Sequence, residues 1–110
     1  MPLKPVDLQL LLVLSAGDQH GYGLVQAIEQ ATDGLVSLDP GNLYRVIKRL
    51  LAEGLIAEAQ RRAAADLNDE RRRYYKLTAL GGRALADELR RLRALTSSPA
   101  ARTVLRTWPA

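Results

Sequence analysis

The 110-residue sequence contains no cysteine. That excludes disulfides, thiolate metal sites and a cysteine nucleophile, and it fits a reducing compartment. Histidine is nearly as scarce. His20 is the only one, and a protein-held metal needs several ligands, so no metal site is expected. Long hydrophobic runs are missing as well. The stretch Leu8 to Leu14 is broken by Gln9 and is too short to span a bilayer. The opening "MPLKPVDLQLLLVLSAG" lacks the basic leader and small-residue cleavage site of a secretory signal. A cytoplasmic protein with no membrane attachment is the expectation. There is no glycine-rich phosphate loop of the P-loop kind. Ser15, Ser37, Ser97 and Ser98 have no evident His–Asp arrangement near them. Asp87 and Glu88 are neighbours on a helix, point in different directions and make a poor acid/base pair. No enzyme and no cofactor are expected.

What is present is basic charge, and its placement is uneven. Lys plus Arg number 16 against 12 Asp plus Glu, for a net charge of +4. Between Arg45 and Lys76 lie Arg45, Lys48, Arg49, Arg61, Arg62, Arg71, Arg72, Arg73 and Lys76. The acids of that span are Glu53, Glu58, Asp66, Asp69 and Glu70, and the last three share one loop. The flanks of that loop are therefore strongly basic, which suits a polyanionic partner.

Helical spacing organises the first half. Asp7 is an N-cap candidate with Pro5 just upstream, and Leu8, Leu11, Leu12 and Ser15 then fall on one side of a short helix. "AGDQHGYG" is turn-rich and ends it; His20 sits in that turn, where Tyr22 is expected to pack. Leu24, Ala27, Ile28 and Ala31 predict a second helix over Tyr22 to Thr32, closed by Gly34 at the C′ position. The third helix starts at Asp39 as N-cap with Pro40 in first position. Leu43, Val46, Ile47, Leu50 and Leu51 form its apolar stripe, and Gly54 ends it.

The second half changes period. "LIAEAQ" alternates as a short strand would, "RRAAADLNDERR" is a polar loop and "RYYKL" is the returning strand. Alternation should bury one of Tyr74 and Tyr75 and turn the other outward. Thr78 caps a long last helix through about Leu95, although Gly81 and Gly82 each weaken its first turns by roughly 1 kcal/mol. "TSSP" interrupts it; Ser98 and Pro99 start one more short helix or lead into a loose tail carrying Trp108. The expected fold is mainly α with a two-stranded β-hairpin, in the order of a winged helix-turn-helix. The expected divisions are a winged helix-turn-helix over 1–77, a C-terminal helix over 78–96 and a tail over 97–110.

Placing the third helix at about 100° per residue sends Arg45 almost directly away from the apolar stripe. Asn42, Lys48 and Arg49 flank it, and Tyr44 lies at the border. Gly41 permits close backbone approach near the helix N-terminus, whose free N–H groups suit a phosphate. Arg pairs with guanine and Asn with adenine, while Lys and helix ends take phosphate. A basic helix face can equally be an ordinary solvated surface. The second basic cluster, Arg61 and Arg62 with Arg71, Arg72 and Arg73, stands at both feet of the hairpin and favours double-stranded DNA as the partner. In the last helix Leu85, Leu89 and Leu92 follow a four-then-three spacing, with Leu95 beyond them. Such a seam suits a second copy of the chain, although these leucines can also pack on the first helix.

Three blocks in order, "HGYGLVQAIEQ", "DPGNLYRVIKRLLAEGLI" and "RRRYYKLTALGGRAL", resemble the PadR family of bacterial transcriptional regulators. The resemblance covers about Asp7 to Leu89 and points to the small class of that family. Where the family commonly has proline after the tyrosine of the third helix, this sequence has Arg45. The resemblance implies a homodimeric winged-helix repressor that binds DNA and is released by a small apolar or aromatic inducer. The rival expectation is a winged-helix protein–protein interaction module that does not touch DNA.

Overall fold

The computed structural model describes residues 3–35, 38–59 and 73–110. In order, the elements are α1 (Pro5–Ala16), β1 (Gln19–His20), α2 (Gly21–Ala31), α3 (Pro40–Ala52), β2 (Ile56–Ala59), β3 (Tyr74–Leu77), α4 (Ala79–Thr96) and α5 (Pro99–Thr107). The expected class holds: mainly α with an antiparallel wing, but the sheet gains a third strand. Its order is β1-β3-β2, both pairings antiparallel, with Gln19 opposite Tyr75 and His20 opposite Tyr74.

That added strand changes the fate of the tyrosines. β3 is the central strand, paired along both edges, and Tyr74 and Tyr75 are both buried, not one in and one out. Tyr75 joins the main core. Tyr74 meets the His20 ring edge-on, centroids 5.4 Å apart. Tyr22, expected against His20, is exposed instead. His20 also caps α2, its Nδ1 accepting from the Gly23 amide at 3.0 Å.

The core forms where α1, α2, α3 and the sheet converge. Leu10, Leu11, Leu24, Ile28, Leu50 and Ile56 are its fully buried side chains. On α3 the expected stripe buries Leu43, Ile47 and Leu50, with Val46 and Leu51 partly covered at its edges. On α1 the buried face is Asp7, Leu10, Leu11 and Leu14, not Leu8, Leu11, Leu12 and Ser15. Lys4 occupies the N-cap position with Pro5 next, so Asp7 lies inside the helix. The reason is its partner, described below. Asp33 (φ 51°), not Gly34, is the first left-handed residue after α2, and the Gly34 amide returns to the Glu29 carbonyl at 2.9 Å.

The junction of α3, sheet and α4 is tight. Gly54 adopts φ 76° and turns the chain out of α3, with the Leu55 amide returning to the Leu50 carbonyl at 3.0 Å. Thr78 Oγ1 accepts from the Gly81 amide, capping α4, and donates to the Gly54 carbonyl at 2.6 Å. Gly81 is required here. A Cβ on it would collide with the Leu55 carbonyl oxygen, whereas one on Gly82 would meet nothing closer than 3.8 Å.

Beyond the core, α4 runs for 18 residues and α5 follows with Ser98 as its N-cap, so the tail is helical. Leu85 is buried in the core, while Leu89 and Leu95 are exposed. Val104, Leu105 and Trp108 are exposed on or just after α5. Near the start of the chain, the buried Glu88 carboxylate accepts from the Leu3 amide and from Arg91 Nε. Those bonds, Arg91 first, hold its carboxyl below the usual glutamate range. Among the described residues no helix is long and apolar enough to cross a membrane.

Candidate nucleic-acid interface

The outer face of α3 is built by the inner one. Burial of Leu43, Ile47 and Leu50 fixes the helix rotation and leaves Gly41, Asn42, Tyr44, Arg45 and Lys48 facing outward. Arg45 and Lys48 have no ion-pair partner among the described residues. Tyr44 is 68% exposed, an unusual state for a large aromatic side chain.

Two expected members of this face are engaged elsewhere. Arg49 turns toward α1, where its two terminal nitrogens lie 2.6 and 2.9 Å from the two carboxylate oxygens of Asp7. Asp7 is only 4% exposed, so this fork is the satisfaction of a buried carboxylate. Glu53 adds a second, looser contact at 3.7 Å. Bonded chiefly to Asp7, the Arg49 guanidinium is held charged even more firmly than usual. Asn42 donates through Nδ2 to Asp39 Oδ2 at 3.0 Å, and its backbone amide donates to Asp39 Oδ1 at 2.9 Å. Asp39 therefore already caps the N-terminus that was expected to offer free amides to a phosphate.

The wing carries less of the expected cluster into view. Arg61, Arg62, Arg71 and Arg72 lie outside the described residues. Arg73, at the edge of β3, is exposed and faces Glu58 of β2 at 3.5 Å. Between wing and α3 opens a cleft of about 670 Å³. His20, Gly21 and Tyr22 line it from one side, Tyr44, Ile47, Lys48 and Leu51 from α3, and Glu58, Arg73 and Tyr75 from the sheet. Burial, aided by Glu58, pushes the Tyr75 phenol up.

Sequence reasoning missed Asp7 as the anchor of α3 and missed this cleft. A helix-starting aspartate reads locally as a cap, and its true partner lies 42 residues away. The cleft joins a two-residue strand to residues more than 20 positions further on, and no local pattern carries that pairing.

A three-helix unit with an outward basic helix face and a small antiparallel sheet is a winged helix-turn-helix. The chain belongs to the Transcriptional regulator PadR-like family, which matches residues 10–87. Members of that family are transcriptional regulators, not enzymes. Solved structures share the fold. A transcriptional regulator from Clostridium thermocellum is 24% identical, TM-score 0.69, over 96% of this chain and 93% of that one. A PadR family transcription regulator from Clostridium difficile is 21% identical, TM-score 0.71, over 94% of this chain and 97% of that one. Bacillus subtilis PadR, solved in complex with operator DNA, is 24% identical, TM-score 0.65, over 80% of this chain and 48% of its own. No curated protein matches the sequence.

Proposed function

We propose that the chain is a cytoplasmic transcriptional repressor that binds duplex DNA sequence-specifically as a homodimer and is released by a small apolar or aromatic ligand. The observation that carries this reading is the outward face of α3. Arg45, Lys48 and Tyr44 stand exposed on a helix whose opposite face is locked into the core, and neither cation has an ion-pair partner among the described residues. Such a face meets base edges and phosphates together. The Bacillus subtilis PadR complex with operator DNA supports the choice of partner. Arg45 is the proposed base reader. Lys48 and Tyr44 lie beside it, Gly41 allows backbone approach, and Asn42 takes part once its amide leaves Asp39. Arg49 is left out of the reading set because Asp7 holds it. Arg61, Arg62, Arg71 and Arg72 are proposed phosphate contacts from their charge and their place in the sequence. The exposed Leu89 and Leu95, with the half-buried Leu92, are the proposed dimer seam; Leu85 serves the core of its own chain.

The test starts from a random duplex pool, from which the purified protein selects its operator. Titration of that operator and of a scrambled duplex against salt follows. Tight operator binding that weakens steeply with salt is expected. No selection, or binding indifferent to salt, would overturn the reading and leave a protein-interaction module.

A further inference from the structure

Two charged side chains are buried among the described residues, Asp7 and Glu88, each only 4% exposed. They lie on different helices, α1 and α4, yet both fasten the same short stretch of chain. Glu88 reaches it from α4. Its carboxylate accepts from the amide of Leu3, just ahead of α1, whose side chain packs on the core. Asp7 holds the stretch from the other side, its two oxygens taking both terminal nitrogens of Arg49 on α3. The span between the two fastenings has little freedom. Lys4 is extended, Pro5 has a fixed φ, and the first helical bond runs from the Leu8 amide to the Lys4 carbonyl at 2.9 Å. A buried carboxylate tolerates little displacement of its partners, because a lost bond leaves a desolvated charge. Movement of Leu3 is therefore passed to Asp7, and movement of Asp7 to Arg49. Arg91, which also bonds Glu88, belongs to α4 itself, so the Leu3 bond is the one that leaves the helix.

We propose that Glu88 is a positioning residue for α3: through Leu3, the first turn of α1 and the Asp7–Arg49 pair, it sets where α3 presents Arg45. Glu88 is the chain neighbour of Leu89 in the proposed seam, so the packing of α4 against a second copy reaches α3 by this route. The effect on DNA rests on the DNA-binding reading above; the coupling within the chain does not.

NMR on the full chain without DNA reads each end of the route from the other. Glu88→Ala should shift the Arg49 Nε–H signal and speed its exchange with solvent about tenfold, the scale of one charge-assisted bond. Glu88→Gln, which keeps an oxygen for the Leu3 amide, should retain most of the wild-type behaviour. Arg90→Ala, at an exposed position of the same helix, should leave the Arg49 signal unchanged. From the other end, Arg49→Ala should speed exchange of the Leu3 amide about tenfold, since coupling between two sites is reciprocal. An Arg49 signal unmoved by Glu88→Ala, or a Leu3 amide unmoved by Arg49→Ala, overturns the proposal. So does an effect of Glu88→Gln as large as that of Glu88→Ala, which would trace to the lost charge alone. With the selected operator, Glu88→Ala and Arg49→Ala should each bind about tenfold more weakly, and the double variant no more weakly than the weaker single one. Losses that multiply would mean that the two residues act separately and would overturn the route to DNA. Because the NMR measurements contain no DNA, their outcome is independent of whether the chain binds an operator.

Discussion

Arg49 on α3 and Asp7 on α1 form a two-toothed ion pair, 2.6 and 2.9 Å long, across 42 residues of sequence. The carboxylate is buried and the guanidinium is about a third exposed. The pair therefore pins the last turns of α3 to the first turn of α1 and helps to set which way Arg45 and Lys48 face. Removing either member leaves the other desolvated charge without its partner. Asp7→Ala and Arg49→Ala should each lower stability by about 1–3 kcal/mol, a range reduced for the partial exposure of Arg49. The double variant should lose clearly less than the sum. Urea denaturation of the four proteins checks this, and additive losses would mean the pair contributes no coupling.

The two adjacent glycines of α4 should respond in opposite directions. Gly81→Ala forces a methyl group into the Leu55 carbonyl and should destabilise by about 1–3 kcal/mol. Gly82→Ala meets only an ordinary contact with the Leu77 side chain at 3.8 Å and should stabilise the helix by about 0.5–1 kcal/mol. Thermal melts of both variants decide it; equal effects would contradict the close approach at Gly81.

Leucines of α4 should divide by burial. Leu85 is 5% exposed and packed in the core, so Leu85→Ala should cost roughly 2–4 kcal/mol of stability. Leu89 is 40% exposed, so Leu89→Glu should leave the fold intact and yield a 12.1 kDa monomer in sedimentation. A Leu89→Glu protein that sediments as a dimer places the seam elsewhere, with the apolar face of α5 the next element to alter.

On the DNA side, the α3 face should specify and the wing should anchor. Arg45→Ala should reduce preference for operator over scrambled duplex by about 1–3 kcal/mol. Arg61→Ala with Arg62→Ala should weaken both duplexes alike and flatten the salt dependence by about one counterion per lost phosphate contact. Salt titrations of each variant on both duplexes measure this. An unchanged preference in Arg45→Ala, with a collapsed one in the wing variant, would reverse the roles.

Acid should unfasten Glu88. Arg91 and the Leu3 amide hold its carboxyl below the usual range. A carboxyl depressed in the folded state adds stability above its unfolded pKa, about 4.3. That contribution fades as pH falls through the lower, folded value. Glu88→Gln should therefore flatten the loss of stability between about pH 5 and pH 2 relative to wild type. Denaturation midpoints across that range provide the comparison, and identical pH profiles would remove Glu88 from the account.

The parts of the fold legible in the sequence are those fixed by local periodicity. The α3 stripe, the Asp39–Pro40 start and the Gly54 stop stand within 16 residues of one another, and each follows from its neighbours. The Thr78 cap was equally local. What escaped depends on residues far apart. β1 has two residues, too few for a pattern, and its existence is decided by Tyr74 and Tyr75 more than 50 positions away. That pairing makes β3 central and sets the His20 ring against Tyr74, while Tyr75 packs in the core. The same distance hid the role of Asp7, and with it the removal of Arg49 from the outer face of α3. At Gly81 helix propensity is the only local signal, and it has no access to the Leu55 carbonyl that excludes a side chain.

Thr78 touches two helices with a single oxygen, closing the end of α3 at Gly54 and opening α4 at Gly81. Its amide donates to the Leu55 carbonyl at 3.2 Å, so three hydrogen bonds of one residue tie this corner together. In the proposed dimer joined through α4, the angle at this corner would set how far apart the two copies of Arg45 stand. The spacing between operator half-sites would then follow from Thr78, a residue outside the proposed reading set.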